Sequence, residues 1–378
     1  MLPGAPGHPL GPVGWSARVA ALFAALPPAT VPARVVGVER RSCNVVEPAG
    51  LRVLPLFGVA VGDWIALEQA PSRTVDRPSG TVDRPSGTVD RPSGTVDRPS
   101  GTVGGSAGAL RLRGVLPRWS ALERLGPGGR RQVLAANVDV VLVVVPADRL
   151  SLARVEREVA VAWDSGARPV VVLTKLDLAP AVAAAKLAER IGQVEVVATC
   201  APTGKGLEAI RRILVAPVTA VLLGPSGAGK STLANALLGE ERLAVGDVRA
   251  DGRGRHTTSS RQLVPVPSGG SLVDMPGLRT LATDASDAAV ATAFADVDEL
   301  AGRCRFADCA HESEPDCAVL AAVAAGKLDP ERLTSYRRLT DEIVSGPRSS
   351  HQRPRAGGTQ TTPGRSGPGR QLPDERAP

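Results

Sequence analysis

The chain has 378 residues, enough for two or three domains, with 43 % apolar residues and only 2 % aromatics. Its net charge of +7 sits in two places, residues 110–131 (six Arg, one Glu) and 346–378 (six Arg, Asp374, Glu375), so it is not uniformly basic. No apolar run reaches the roughly 18 residues of a membrane span, and Met1–Pro12 lacks the pattern of a signal peptide. Five cysteines, three of them clustered with a histidine, fit a reducing cytoplasm and a metal better than disulfides.

Residues 1–30 are rich in Ala, Pro and Gly, and only Ala17–Leu26 suggests a short helix. From Ala33 the pattern changes to short strands: Ala33–Val38, Asn44–Val46, Leu51–Phe57, Asp63–Leu67 and Leu110–Leu116. Five such strands predict a small barrel of OB type, with an SH3-like barrel as the alternative. Between the fourth and fifth, Thr-Val-Asp-Arg-Pro-Ser-Gly occurs four times from Thr74 to Gly101. A proline and a glycine in every copy rule out a coiled coil and predict a disordered loop expansion. The following stretch holds Arg118, Trp119, Arg124, Arg130 and Arg131, residue types suited to phosphate contact and base stacking; a plain linker is the alternative.

From Val138 onward continuous valine-rich runs alternate with alanine-rich helices, the pattern of a parallel sheet covered on both faces. Strands are expected at Val138–Val145, Pro169–Leu173, Val194–Ala198 and Val218–Leu223, and helices at Leu150–Ala162, Ala181–Ile191 and Leu207–Leu214. The last strand feeds Gly224-Pro225-Ser226-Gly227-Ala228-Gly229-Lys230-Ser231-Thr232, and Leu233–Leu238 continues as a helix. Strand, glycine-rich turn and helix form the setting of a phosphate-binding loop. Its backbone N–H groups face phosphate oxygens, Lys230 reaches the β- and γ-phosphates, and the Ser231 hydroxyl is offered to Mg²⁺.

Upstream, Thr174-Lys175-Leu176-Asp177 ends the second strand. It matches the GTPase pattern Asn-Lys-x-Asp, in which the Asp carboxylate takes two hydrogen bonds from guanine that adenine cannot offer. Thr174 replaces the Asn, and the expectation is a weakened supporting contact. Ala198-Thr199-Cys200-Ala201 corresponds loosely to the loop that meets guanine O6.

Downstream, Thr258 in Gly254-Arg255-His256-Thr257-Thr258 is placed to complete Mg²⁺ coordination, and Asp274 to hold the Mg²⁺ shell through water. Gly277 leaves room for a backbone N–H at the γ-phosphate. Leu278 stands where many GTPases place the Gln that orients the attacking water, so slow intrinsic hydrolysis is expected, with His256 as a candidate to position that water.

Base-reading motifs thus precede the phosphate loop, the reverse of the ordinary order and the mark of a circular permutation. Finally, Cys304, Cys309, His311 and Cys317 follow C-x4-C-x-H-x5-C, a closed set for one structural Zn²⁺. Helices at Ala318–Ala325 and Pro330–Val344 should pack around it.

The fold expected is an α/β core, a circularly permuted P-loop GTPase with a parallel sheet, carrying an N-terminal OB-like β-barrel and a C-terminal α-helical zinc-binding domain. The boundaries are an N-terminal extension (1–32), barrel (33–117, insert 70–109), basic connector (118–136), nucleotide domain (137–283), zinc domain (284–345) and disordered tail (346–378). In this order the motifs, together with Gly62-Asp63-Trp64 and Ala136-Asn137-Val138-Asp139, resemble the ribosome small-subunit-dependent GTPases of the RsgA (YjeQ) family. The resemblance implies a monomeric cytoplasmic enzyme that takes GTP with Mg²⁺ and releases GDP. It also implies binding to the 30S subunit and its rRNA, and release of assembly factors such as RbfA. Two rival readings stay open at this point. One is a transport- or kinase-type P-loop ATPase, against which stand the missing Leu-Ser-Gly-Gly-Gln signature and the Met after Asp274. The other is an RNA-binding scaffold with a vestigial nucleotide site.

Overall fold

The structure is a computed structural model and describes residues 7–69, 110–125, 130–178, 187–188, 190–191, 194–240, 261–274 and 285–345. The repeat and the C-terminal tail therefore lie outside the described residues.

Five antiparallel strands form the N-terminal unit: β1 (Val31–Val38), β2 (Ser42–Glu47), β3 (Gly50–Pro55), β4 (Trp64–Gln69) and β5 (Leu110–Val115), in spatial order β3-β2-β1-β4-β5. Alternating residues turn inward, so that Ala33, Val35, Cys43, Val45, Leu54, Ile65 and Leu67 make a separate small core. No β3–β5 pairing closes this sheet among the described residues.

The basic connector is not a linker. Residues Ala121–Leu125 (β6) and Arg131–Ala136 (β7) form an antiparallel two-stranded sheet. Arg118 is engaged internally by the buried Asp63 carboxylate at 2.6 and 2.7 Å, and Trp119 lies under the Arg18 guanidinium, 5.1 Å from the ring centre. Both side chains thus serve the junction between units, where the sequence suggested nucleic-acid contact.

The nucleotide domain is a six-stranded sheet in the order β10-β9-β8-β11-β13-β12, made of β8 (Val140–Pro146), β9 (Arg168–Thr174), β10 (Glu195–Ala198), β11 (Thr219–Leu223), β12 (Arg261–Pro265) and β13 (Ser271–Asp274). All pairs are parallel except β12 with β13. The all-apolar strands are buried on both faces, and the period of two sorts their side chains. Val141, Val143, Val145, Val171, Leu173 and Val221 face α2 (Leu152–Asp164), while Val140, Leu142, Val144, Val170, Val172 and Ala220 face α3 (Leu207–Ile213) and α4 (Lys230–Leu238). Strand β12, unmarked in the sequence, also pairs with the barrel through Gly37↔Gln262 and Val38↔Arg261. One eleven-stranded sheet results.

The N-terminal segment, which looked uninformative, is a structural strap. Leu10, Val13 and Val19 are buried in the main core, and Trp15 and Phe23 of this segment pack edge-on against Trp64 of β4. Helix α1 (Ala17–Ala24) starts at Ser16, whose hydroxyl accepts from the Val19 N–H. Behind the strap lies Arg34, 1 % exposed. Its guanidinium donates to the carbonyls of Val13, Gly62 (3.3 Å) and Asn137 (3.1 Å) and to Thr219 Oγ1 (2.9 Å), and it stacks 5.1 Å above Trp64. Burial pulls its pKa down to about 10, opposed by Asp139 and Asp63, so it stays a cation at neutral pH.

Four helices follow: α5 (Asp287–Ala293), α6 (Ala295–Ala301), α7 (Ala318–Ala324) and α8 (Pro330–Ser345). Phe294, Val297, Val319, Leu333 and Leu339 form their core, joined by Ala160 and Trp163 of α2. Beside it a buried ionic cluster ties the two units. Glu156 of α2 accepts from Arg190 (3.2 Å) and from Arg332 of α8 (3.1 Å), and Arg332 also grips Asp296 at 2.5 and 2.6 Å. Among the described residues no helix is long and apolar enough to cross a membrane.

Replacing Arg34 by Met should leave three carbonyls without their donor and lower stability by about 2–4 kcal/mol. Thermal or urea unfolding checks this; an unchanged midpoint would show that Arg34 does not hold the junction.

Candidate nucleotide site and metal centre

Parallel strands place their carboxyl ends on one edge of the sheet, where open α/β folds bind ligands. Thr174, Gly224 and Asp274 all stand on that edge, at the ends of β9, β11 and β13. The loop Gly224–Thr232 leaves β11 and enters α4 at Lys230, with Ser226 and Gly227 exposed at its tip. Gly224 has φ +145°, and a Cβ there would fall 2.3 Å from the Val144 carbonyl oxygen, so only glycine permits this exit. Lys230 Nζ reaches across the loop to the carbonyls of Gly224 and Pro225, both at 2.7 Å. Gly229 caps α4, and Ser231 and Thr232 lie in its first turn, where helix N–H groups point outward.

The tetrapeptide Thr174–Asp177 comes to the same edge. After Thr174 the chain turns through Lys175, with φ +58°, into a 3-10 turn of Leu176, Asp177 and Leu178 that leaves the Asp177 side chain exposed. Lys175 Nζ lies 3.8 Å from Asp148. The Thr174 hydroxyl lies 2.6 Å from the carbonyl oxygen of Ala228 in the phosphate loop and 3.3 Å from that of Val145. The short Thr174 hydroxyl reaches the phosphate loop because β9 and β11 are separated only by β8.

Asp274 ends β13 next to β11, and burial pushes its carboxyl pKa up. Its carboxylate and the Ser231 hydroxyl are oxygen donors of the type that could hold Mg²⁺. His256, Thr258, Gly277 and Leu278 lie outside the described residues.

In the C-terminal unit, Cys304, Cys309, His311 and Cys317 bring their ligand atoms within 4.8 Å of one another. The Cys304 and Cys317 sulfurs are 3.8 Å apart, and His311 Nδ1 is 3.6 and 3.5 Å from them. Bonds of about 2.3 Å to sulfur and 2.0 Å to nitrogen at a tetrahedral Zn²⁺ require edges of about 3.8 and 3.5 Å, which Cys304, His311 and Cys317 match, with Cys309 as the fourth donor within 4.8 Å. The sequence did not mark Glu314 as part of this centre. Its carboxylate accepts from the N–H groups of Ala310 (2.8 Å), Glu312 (2.8 Å) and Ser313 (3.0 Å). Backbone N–H groups, its own first among them, hold its carboxyl down to about 2. It thereby fixes the loop in which His311 takes φ +59°.

Thr174→Val keeps the shape and removes the hydroxyl. GDP affinity should fall by roughly 3–10-fold, with Thr174→Ser near the parent. Equilibrium titration with a fluorescent GDP measures it; equal affinity in all three proteins would mean that the loops do not depend on this tie.

Comparison with known proteins agrees with this geometry. A family model described as RsgA GTPase matches residues 115–284. A protein of Streptomyces avermitilis named small ribosomal subunit biogenesis GTPase RsgA is 41 % identical over 356 residues, 89 % of this chain and 86 % of that one. A protein of the same name from Streptomyces coelicolor is 43 % identical over 330 residues, covering 82 % and 80 % of the two chains. Among solved structures, YjeQ from Thermotoga maritima superposes with a TM-score of 0.58 at 23 % identity, covering 84 % of this chain and all of that one. YloQ, described as a circularly permuted GTPase, gives 0.55 at 21 % identity, covering 85 % and 98 %. With strands β8–β10 ahead of the Gly224–Thr232 loop in sequence and in the same sheet as the strand that feeds it, the chain belongs to the RsgA family of circularly permuted GTPases.

Proposed function

We propose that this protein hydrolyses GTP to GDP and phosphate while bound to the maturing small ribosomal subunit, and that nucleotide state decides whether it stays there. The observation that carries the reading is the joining of a guanine-type tetrapeptide to a phosphate loop by the Thr174–Ala228 hydrogen bond, in a chain whose relatives are named for small-subunit biogenesis. Asp177 selects guanine through N1–H and the 2-amino group, because an adenine would leave that carboxylate without partners. The loop N–H groups and the α4 N-terminus bind the phosphates, and Lys230 exchanges its two loop carbonyls for phosphate oxygens. Ser231, and Asp274 through water, would hold Mg²⁺, which would supply charge neutralisation for the phosphates. Thr258 and the Gly277 N–H sense the γ-phosphate, and His256 orients the attacking water. Leu278 cannot serve that last purpose, which makes turnover slow without the subunit.

The Cys₃His centre is structural in this reading, its four positions all filled by side chains. The barrel and the zinc unit meet rRNA, the protein acts as a monomer in the cytoplasm, and its departure accompanies release of assembly factors of the RbfA type. Family membership removes the ATPase reading.

GTP turnover measured alone and with purified small subunits tests the proposal. Turnover should be slow alone and rise at least about tenfold with subunits. Undetectable turnover in both conditions would leave a binding scaffold instead of an enzyme.

A further inference from the structure

Arg190 lies on the stretch that joins β9 to β10, and each of those strands runs into a segment expected to meet the base, residues 174–177 and 198–201. The backbone around it is held in the main core, where Leu187 and Ile191 are buried with Leu173 of β9, and Leu176 of the tetrapeptide packs against that core. Its side chain, however, reaches out of the nucleotide domain to the C-terminal helical unit. From this placement we propose that Arg190 is a positioning residue for the base side of the nucleotide site, and that the C-terminal unit holds it in place.

The Arg190 guanidinium is only 8 % exposed and bonds to two units at once. Its Nε donates to Glu156 Oε1 of α2 at 3.2 Å, and its Nη1 donates to Asp329 Oδ2, with Glu331 at 3.3 Å. Asp329 is itself fixed, because its other oxygen accepts the Glu331 N–H at 2.8 Å at the start of α8. One carboxylate thus ties the first turn of α8 to the chain between β9 and β10. Glu156, 2 % exposed, offers the same oxygen to Arg332 of α8 at 3.1 Å, and its buried Oε2 has no hydrogen-bond partner. The carboxylate therefore depends on both cations, and each cation has a second acid in the C-terminal unit, Asp329 for Arg190 and Asp296 for Arg332.

A segment braced in this way loses less freedom when the base arrives, so bracing raises affinity without touching the ligand. Linkage requires the reverse as well: a base that orders the two segments strengthens the docking of α8 by the same factor. The phosphates lie outside this exchange, because they are given to the loop between β11 and α4, which Arg190 does not touch. The inference rests on the proposed function, in which Asp177 reads guanine.

The test uses the full-length protein, its Asp329→Asn and Arg190→Met variants, and the double variant. Asp329→Asn keeps an oxygen for the start of α8 and removes the charge that Arg190 meets. Equilibrium titration should show GDP binding weakened by roughly 2–5-fold in Asp329→Asn and roughly 3–10-fold in Arg190→Met. The double variant should be no weaker than Arg190→Met, and the much weaker ADP binding should be unchanged throughout. Hydrogen exchange of the amides in residues 330–345 should slow on addition of GDP in the wild type and not in Arg190→Met. GDP affinity untouched by Asp329→Asn, two effects that simply add, or exchange in 330–345 that ignores GDP would each overturn the inference. Parallel loss of GDP and ADP affinity would assign the cluster to stability alone and overturn it too. A wild-type protein without preference for GDP over ADP would instead overturn the base-reading role of Asp177, and this inference with it.

Discussion

The guanidinium of Arg34 sits where the N-terminal strap, the barrel and the nucleotide domain meet, and it bonds to all three. Its acceptors are Val13 of the strap, Gly62 of the barrel, and Asn137 and Thr219 at the start of the nucleotide sheet. A buried cation without a direct carboxylate partner is costly unless its donors are satisfied, and here four oxygens and the Trp64 face meet that demand. The barrel is consequently fixed to the nucleotide sheet at two points, this one and the β1–β12 pairing. Thr219 opens β11, the strand that ends in the phosphate loop, so the junction and the loop share one rigid element.

The C-terminal helical unit is attached on another side, through α2. Glu156 serves two arginines, one beyond the guanine loop and one on α8. Removing Glu156 would leave both buried arginines short of a partner, which makes it costly to lose. Arg157 Nη2, which lies 2.5 and 2.7 Å from the two carboxylate oxygens of Glu342, adds a contact at the far end of α8. The barrel and the C-terminal helical unit thus both rest on elements of the nucleotide domain.

Much of this was legible in the sequence because it depends on local pattern. Continuous valine runs gave the parallel strands to within two residues, and the loop Gly224–Thr232 and the Cys/His set carry their chemistry in their spacing. What was hidden depends on contacts distant in sequence. Arg34 and Thr219 are 185 residues apart, and nothing local distinguishes Arg34 from a solvated arginine. Strand β12 is short and half polar, so its pairing with β1 leaves no periodic signature. Arg118 and Trp119 looked like nucleic-acid contacts because residue type alone cannot tell an internal partner such as Asp63 from an external phosphate. The tie from Thr174 to Ala228 was hidden for a related reason: its acceptor lies 54 residues away and is brought close only by the sheet.

The most direct measurement of the link between nucleotide site and ribosome is sedimentation of this protein with purified small subunits in the presence of a non-hydrolysable GTP analogue, GDP or an ATP analogue. The expected result is retention at least about fivefold stronger with the GTP analogue than with GDP, and no effect of the ATP analogue. Equal retention in all three conditions would contradict the coupling of guanine nucleotide state to subunit binding.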